Sequence, residues 1–252
     1  VDERSPLCEK CGYDIQGLEA DGVCPECSRP IAQSLPQARP GSLWQQRPGL
    51  NSWWRTNLEA LTHPRRLFGA VRVEPRGSTL LAIINCCIAG FLLIDPWVGA
   101  LMGDPVRAAR TDGFTYYAMT YAATLAAETA AVAAVLMLLT WVEYQGVRFI
   151  AARRKWRLTR AAAWQVCCHA SVGWIIAAFA PLLALALLHT LRSILHIPMG
   201  GTIDMRAWGY GYLYIGTLIT PLMLIVFMTG GMLIYELLVH LGVRCCRFAA
   251  TL

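Results

Sequence analysis

Four apolar stretches, separated by short segments rich in arginine, constrain this chain more than any other feature. They run about 78–102, 116–142, 161–188 and 212–238. A helix needs about 20 apolar residues to cross a hydrocarbon core of ~30 Å at 1.5 Å per residue. The first stretch is the short one, halted by Asp95-Pro96 and extended beyond it by Trp97–Met102. Charged residues make up only 15% of the chain, against about 25% in an ordinary soluble domain. The fold class this predicts is an all-α transmembrane helical bundle of about four spans.

The basic residues predict its orientation. Residues 55–76 carry five arginines and 143–160 carry six Lys or Arg, with Arg244 and Arg247 in the tail. Opposite them stand Arg107, Arg110, Arg192 and Arg206, so alternate segments hold thirteen against four. Both termini are expected in the cytoplasm, for a multi-pass membrane protein. Val1–Pro6 is charged with no short apolar run behind it, which reads as no secretory signal. A start at Val is compatible with further residues upstream.

Ahead of the spans the chain is polar. Residues 1–35 hold seven acids against three bases, leaving +10 on the remainder. Within this acidic head lie Cys8-x2-Cys11 and Cys24-x2-Cys27, twelve residues apart. A two-residue gap lets both thiolates of a pair reach one metal, and the second pair completes a tetrahedron of sulfurs. Gly12 follows the first knuckle, Pro25 sits inside the second, and Gly17 and Gly22 are turn residues between them. About 30 residues bury too little apolar surface to fold alone, so bound metal should supply the folding energy. The expectation for residues 1–30 is a small β zinc ribbon with structural Zn2+ on Cys8, Cys11, Cys24 and Cys27. An iron–sulfur site of rubredoxin type and a pair of redox dithiols are the alternatives. The remaining six cysteines fall in adjacent pairs, unlike a secreted disulfide framework.

Residues 31–50, with prolines at 36, 40 and 48 and several Gln and Ser, read as an extended linker without a core. Residues 51–76 follow as an amphipathic helix. Ser52 is its candidate cap, Trp53, Trp54, Leu58 and Leu61 are its apolar positions, and Pro64 ends or restarts it. Such a piece lies in a membrane interface or packs on the bundle.

Inside the spans Glu128 stands out, because an ionised carboxylate at mid-membrane normally faces a bundle interior or water. Asn85 and His169, in the inner halves of the first and third spans, are candidates to reach it as a proton or cation relay. The alternative is a protonated Glu128 bonded to a neighbouring helix. "CCIA" at 86–89 and "CCHA" at 167–170 hint at a parallel repeat, as some transporters have. His189 and His196 read as solvated outer histidines. No protease motif or pair of intramembrane aspartates is present, and no enzyme is expected.

The pattern "CxxCGYDI.GL…G.CPEC" resembles the short zinc ribbons that head many bacterial, notably planctomycete-type, membrane proteins. Those usually continue the second knuckle with Gly where this chain has Ser28, a residue that accepts positive φ less readily. The run "WWRTNLEALTHPRRLF" with the spans after it is similar to the Yip family of small multispan proteins, which usually have five spans. That resemblance implies a membrane-organising role.

The expected function is a non-enzymatic integral membrane protein whose cytosolic zinc ribbon recruits or assembles proteins. A small transporter or channel using Glu128 is the alternative. Expected partners are the lipid bilayer and a cytosolic protein, with a homo-oligomer compatible and nucleic acid disfavoured by the acidic head.

Overall fold

A computed structural model describes residues 6–73, 78–102, 114–154, 156–194 and 211–249, with backbone alone at some helical positions, chiefly 95–102 and 211–224. The arginine-poor loops 103–113 and 195–210, with the side chain of His189 and all of His196, lie outside the described residues.

The chain is mostly helical. Helices α1 (Leu43–Gln46), α2 (Leu50–Thr62) and α3 (Pro64–Ala70) precede α4 (Ser78–Met102), α5 (Phe114–Arg153), α6 (Arg160–Ala170), α7 (Val172–Ile194) and α8 (Gly211–Cys246). Two helical stretches among the described residues are long and apolar enough to cross a membrane, Ala118–Arg153 and Arg160–Phe179. Ser78–Ile94 is apolar too but shorter. Few residues of the most apolar part of Ala118–Arg153 are buried within the chain, whereas most of those in Arg160–Phe179 are.

The chain divides into two compact units. Unit 1 comprises Val1–Cys86, Ala133–Val172 and Tyr235–Leu252; unit 2 comprises Cys87–Val132 and Gly173–Ile234. In unit 2 the large apolar side chains Met119, Phe179, Leu183, Leu187, Ile225 and Leu233 are exposed. Among that unit's residues with described side chains, Glu128 is the one charged group. Helices α7 and α8 approach so closely that a Cβ on Gly231 would run into the Ala177 backbone. That is the glycine-mediated packing expected of helices in lipid, and Gly230 beside it meets nothing within 4 Å.

Unit 1 corrects two expectations. The four-cysteine module, expected as a β zinc ribbon, contains no β-strand among the described residues, only the isolated bridges Leu7↔Asp14 and Val23↔Pro30. Each knuckle closes on itself through short backbone bonds, so pairing stops after one residue pair. More important, residues 31–50 are not an extended linker. Ile31–Ser34 and Pro36–Ala38 form 3-10 turns, and Ile31, Ser34, Arg39, Ser42 and Trp44 are buried. Ser42 and Gln45 make a capping box that starts α1, with Ser42 Oγ accepting from Gln45 N at 3.2 Å and Ser42 N donating to Gln45 Oε1 at 3.0 Å. The same Gln45 side chain satisfies both backbone groups of Arg72 and donates to Gln165 Oε1.

Helix α2 starts at Leu50, so Ser52 is not its cap. Gly49 holds that position, and Ser52 Oγ donates back to the Arg47 and Gly49 carbonyls. As expected, Pro64 restarts the chain as α3, where its missing N–H costs nothing. The buried face of α2 is polar: Thr56 and Asn57 lie inward with Ala60, and the helix packs on α1, α3 and α6.

Candidate metal centre

The two knuckles are built alike. Cys8 N donates to the Tyr13 carbonyl and Gly12 N to the Cys8 carbonyl, both at 2.8 Å. Sixteen residues on, Cys24 N donates to the Arg29 carbonyl at 2.8 Å and Ser28 N to the Cys24 carbonyl at 2.9 Å. Each turn needs a residue of positive φ after its second cysteine: Gly12 has φ 81° and Ser28 φ 58°. Ser28 therefore stands in a left-handed conformation that costs a residue with a Cβ about 1–2 kcal/mol.

These turns bring the four sulfurs within 4.8 Å of one another, with Cys8 to Cys27 at 3.5 Å and Cys11 to Cys24 at 3.6 Å. Four sulfurs each about 2.3 Å from a common zinc stand about 3.8 Å apart along a tetrahedron's edges. The donor set fits a metal, and the spacing leaves the cysteines as free thiols. Ile15 and Ile31 pack around Cys8 and Cys24, with Leu35 beside them.

The electrostatics call for a cation. Burial pushes the Cys8 thiol up, but the Cys11 and Lys10 backbone N–H groups, with the neighbouring thiols, outweigh it and bring Cys8 down to about 6. At Cys11 the Tyr13 N–H pulls the thiol down, yet desolvation and three neighbouring sulfurs push it up to about 12. One thiolate forms readily and the next resists, as like charges sharing a site must. A divalent cation removes that conflict and lets all four ionise.

Glu9, between the first two cysteines, ties this centre to the rest of unit 1. Its Oε1 takes the Arg39 Nε–H at 2.7 Å, and Arg29 lies 3.7 Å from its Oε2. Arg39 is only 4% exposed. Its Nη1 donates to the Phe68 and Val71 carbonyls at 2.9 and 3.1 Å and its Nη2 to the Cys245 carbonyl at 3.0 Å. One guanidinium thus caps the C-terminal ends of α3 and α8, where a cation is favoured. Behind it Cys246 is fully buried against the Phe68 carbonyl. Phe248 lies over Gly12, where a Cβ would come within 2.9 Å of its ring, and Arg247 reaches the Lys10 carbonyl at 3.5 Å.

The relay residues expected in the spans have other partners. Asn85 is fully buried; its Oδ1 accepts from Trp53 Nε1 at 2.7 Å and Asn57 Nδ2 at 3.1 Å, and its amide donates to Asn57 Oδ1 and Ser171 Oγ. His169 Nδ1 donates to the Gln165 carbonyl, which can only accept, so Nε2 takes the Ser42 hydroxyl at 2.9 Å. Both residues belong to unit 1, whereas Glu128 belongs to unit 2 and is exposed. The bonds of Asn85 and His169 are made inside unit 1, to α2, Ser171, the Gln165 carbonyl and Ser42. Sequence reasoning missed Arg39 altogether. Its only signal was an arginine among the prolines of an apparent linker, although the Ser42-x2-Gln45 spacing was a readable cap.

No family model matches the chain, and no curated protein or solved structure is similar to it at a significant level.

Proposed function

We propose that the protein is a non-enzymatic, multi-pass membrane protein in which a structural zinc centre holds a cytosolic recruitment and assembly platform together. The observation that carries this reading is the connected set of contacts from the four sulfurs through Glu9 to Arg39 and the ends of α3 and α8. A zinc ion with four thiolates has no open position for substrate, so its work is to fix the fold around it. Bound metal sets the Cys8–Cys11 knuckle, the knuckle aims Glu9, and Glu9 holds the guanidinium that joins two helix ends. On the outer side of the module Tyr13, Leu18 and Val23 are exposed among Asp14, Glu19 and Asp21. That mixed apolar and acidic face suits a basic protein partner and repels nucleic acid.

Exposed apolar side chains along the helices of unit 2 support the membrane reading, and the arginine distribution supports four spans with both ends inside. No described contact favours a transporter built on Glu128.

The test is metal analysis of the full chain purified in detergent, beside the Cys8→Ser variant. We expect one zinc per chain in the parent and none in the variant. Protease should then cut within residues 6–40 of the variant while the helical content persists. A metal-free parent with the same protection would end this reading.

A further inference from the structure

The surface of α2 is arranged opposite to that of a helix on a soluble protein. Its inward face carries Thr56 and Asn57, and its outward face carries Leu50, Trp54, Leu58 and Leu61, with Leu50 83% and Trp54 59% exposed. These four follow one another at spacings of four, four and three, which aligns them as one stripe along the helix. The inward polar groups are not idle: Asn57 and Trp53 bond Asn85, and Thr56 Oγ1 accepts from Trp44 N at 3.0 Å. The orientation is therefore locked, and an apolar stripe faces away from the protein.

Charge and position identify what covers it. Exposed Arg55, Arg65 and Arg66 lie on α2 and the start of α3, where Glu59 is the one acid, already paired with Arg66 at 3.4 Å. Asn85, the anchor of α2, is seven residues into α4, about 10 Å from its start at 1.5 Å per residue. An amphipathic helix in a bilayer interface sinks about 5–10 Å into the headgroup and acyl boundary. The anchor thus sets α2 beside the first turns of an apolar helix, at that depth. We propose that α2 lies in the headgroup layer of an anionic bilayer, its stripe in the upper acyl region and its arginines on lipid phosphates.

This rests on the membrane reading above and is tested with the full chain reconstituted in phosphatidylcholine vesicles, with and without phosphatidylglycerol. The signal of Trp54 is the difference between the parent and Trp54→Phe. We expect this signal to be quenched by lipids brominated on the upper acyl chain, and protected from aqueous acrylamide, most strongly in the anionic vesicles. Reversing Arg55, Arg65 and Arg66 to Glu should lower the docked population, by about fivefold for each basic charge removed from the surface. An inserted chain whose Trp54 stays open to acrylamide overturns the proposal. Protection from both quenchers also overturns it, because a second copy or another protein then covers the stripe. Equal docking in both lipids removes the anionic requirement and so refutes it as stated. A chain that never enters the vesicles overturns the membrane reading itself.

Discussion

Replacing Arg39 by Met keeps the aliphatic stem and removes the guanidinium, which isolates the contribution of the clasp. In the folded chain Arg39 and Glu9 side chains are 4% and 10% exposed, so their ion pair is shielded from water. Without its partner, Glu9 keeps only Arg29, at 3.7 Å and 30% exposed. Removing one member of a buried pair costs about 3–5 kcal/mol, while an exposed pair is worth about 0–1 kcal/mol. The Phe68, Val71 and Cys245 carbonyls also lose a donor, at about 1–3 kcal/mol each where they stay dry. Helix-end carbonyls can turn toward water, so we expect about 3–5 kcal/mol in total, near the cost of breaking the pair alone. The assay is denaturant unfolding of the full chain in detergent, followed by tryptophan fluorescence. A double-mutant cycle with Glu9→Gln should give a coupling of about 1–3 kcal/mol, as contacting residues do. A loss below about 1 kcal/mol for Arg39→Met, or an additive cycle, places the pair among exposed ones. Either result refutes the argument that the metal module is joined to the helix ends through Arg39.

Three further outcomes follow from local geometry. Ser28→Gly relieves the left-handed φ of 58° and should strengthen metal retention against a chelator by about 0.5–1 kcal/mol, the relief less glycine's entropy in the unfolded chain. Gly231→Ala sets a methyl against the Ala177 backbone; it should lower the unfolding midpoint by the equivalent of about 1–3 kcal/mol or more, read in the same detergent assay. Asn85→Leu strands the Asn57 amide and the Trp53 indole N–H, which should cost about 2–4 kcal/mol by the same readout. Wild-type stability in Asn85→Leu would mean that α2 is not anchored there.

The four-cysteine cluster was legible in the sequence because a Cys-x2-Cys knuckle is a local object. Its ligand spacing, its turn and its need for positive φ at residues 12 and 28 all reside within a few consecutive residues. The apolar helices were legible for the same reason, since length and hydropathy are properties of a continuous run. The clasp was not legible. Arg39 reaches residues 29 positions away at Phe68 and 206 positions away at Cys245, and no local pattern marks such pairings. Composition even pointed the wrong way. Proline, glutamine and serine between 31 and 50 read as a solvated tether, whereas Arg39, Ser42 and Gln45 are the groups that satisfy buried backbone and side-chain partners. The same holds for Asn85 and His169. As polar residues in apolar runs they drew attention to Glu128, but their bonds go to Trp53, Asn57, Ser171, Ser42 and the Gln165 carbonyl.

By itself, then, the sequence determined the four-cysteine cluster, the strain at Ser28 and which segments are long and apolar helices. Only the tertiary structure decided that the acidic head is a built-in part of unit 1, and that α2 turns its polar face inward. The physical reason is that a buried polar group must find a partner wherever the chain can supply one. That search is settled by three-dimensional proximity, which local spacing does not encode.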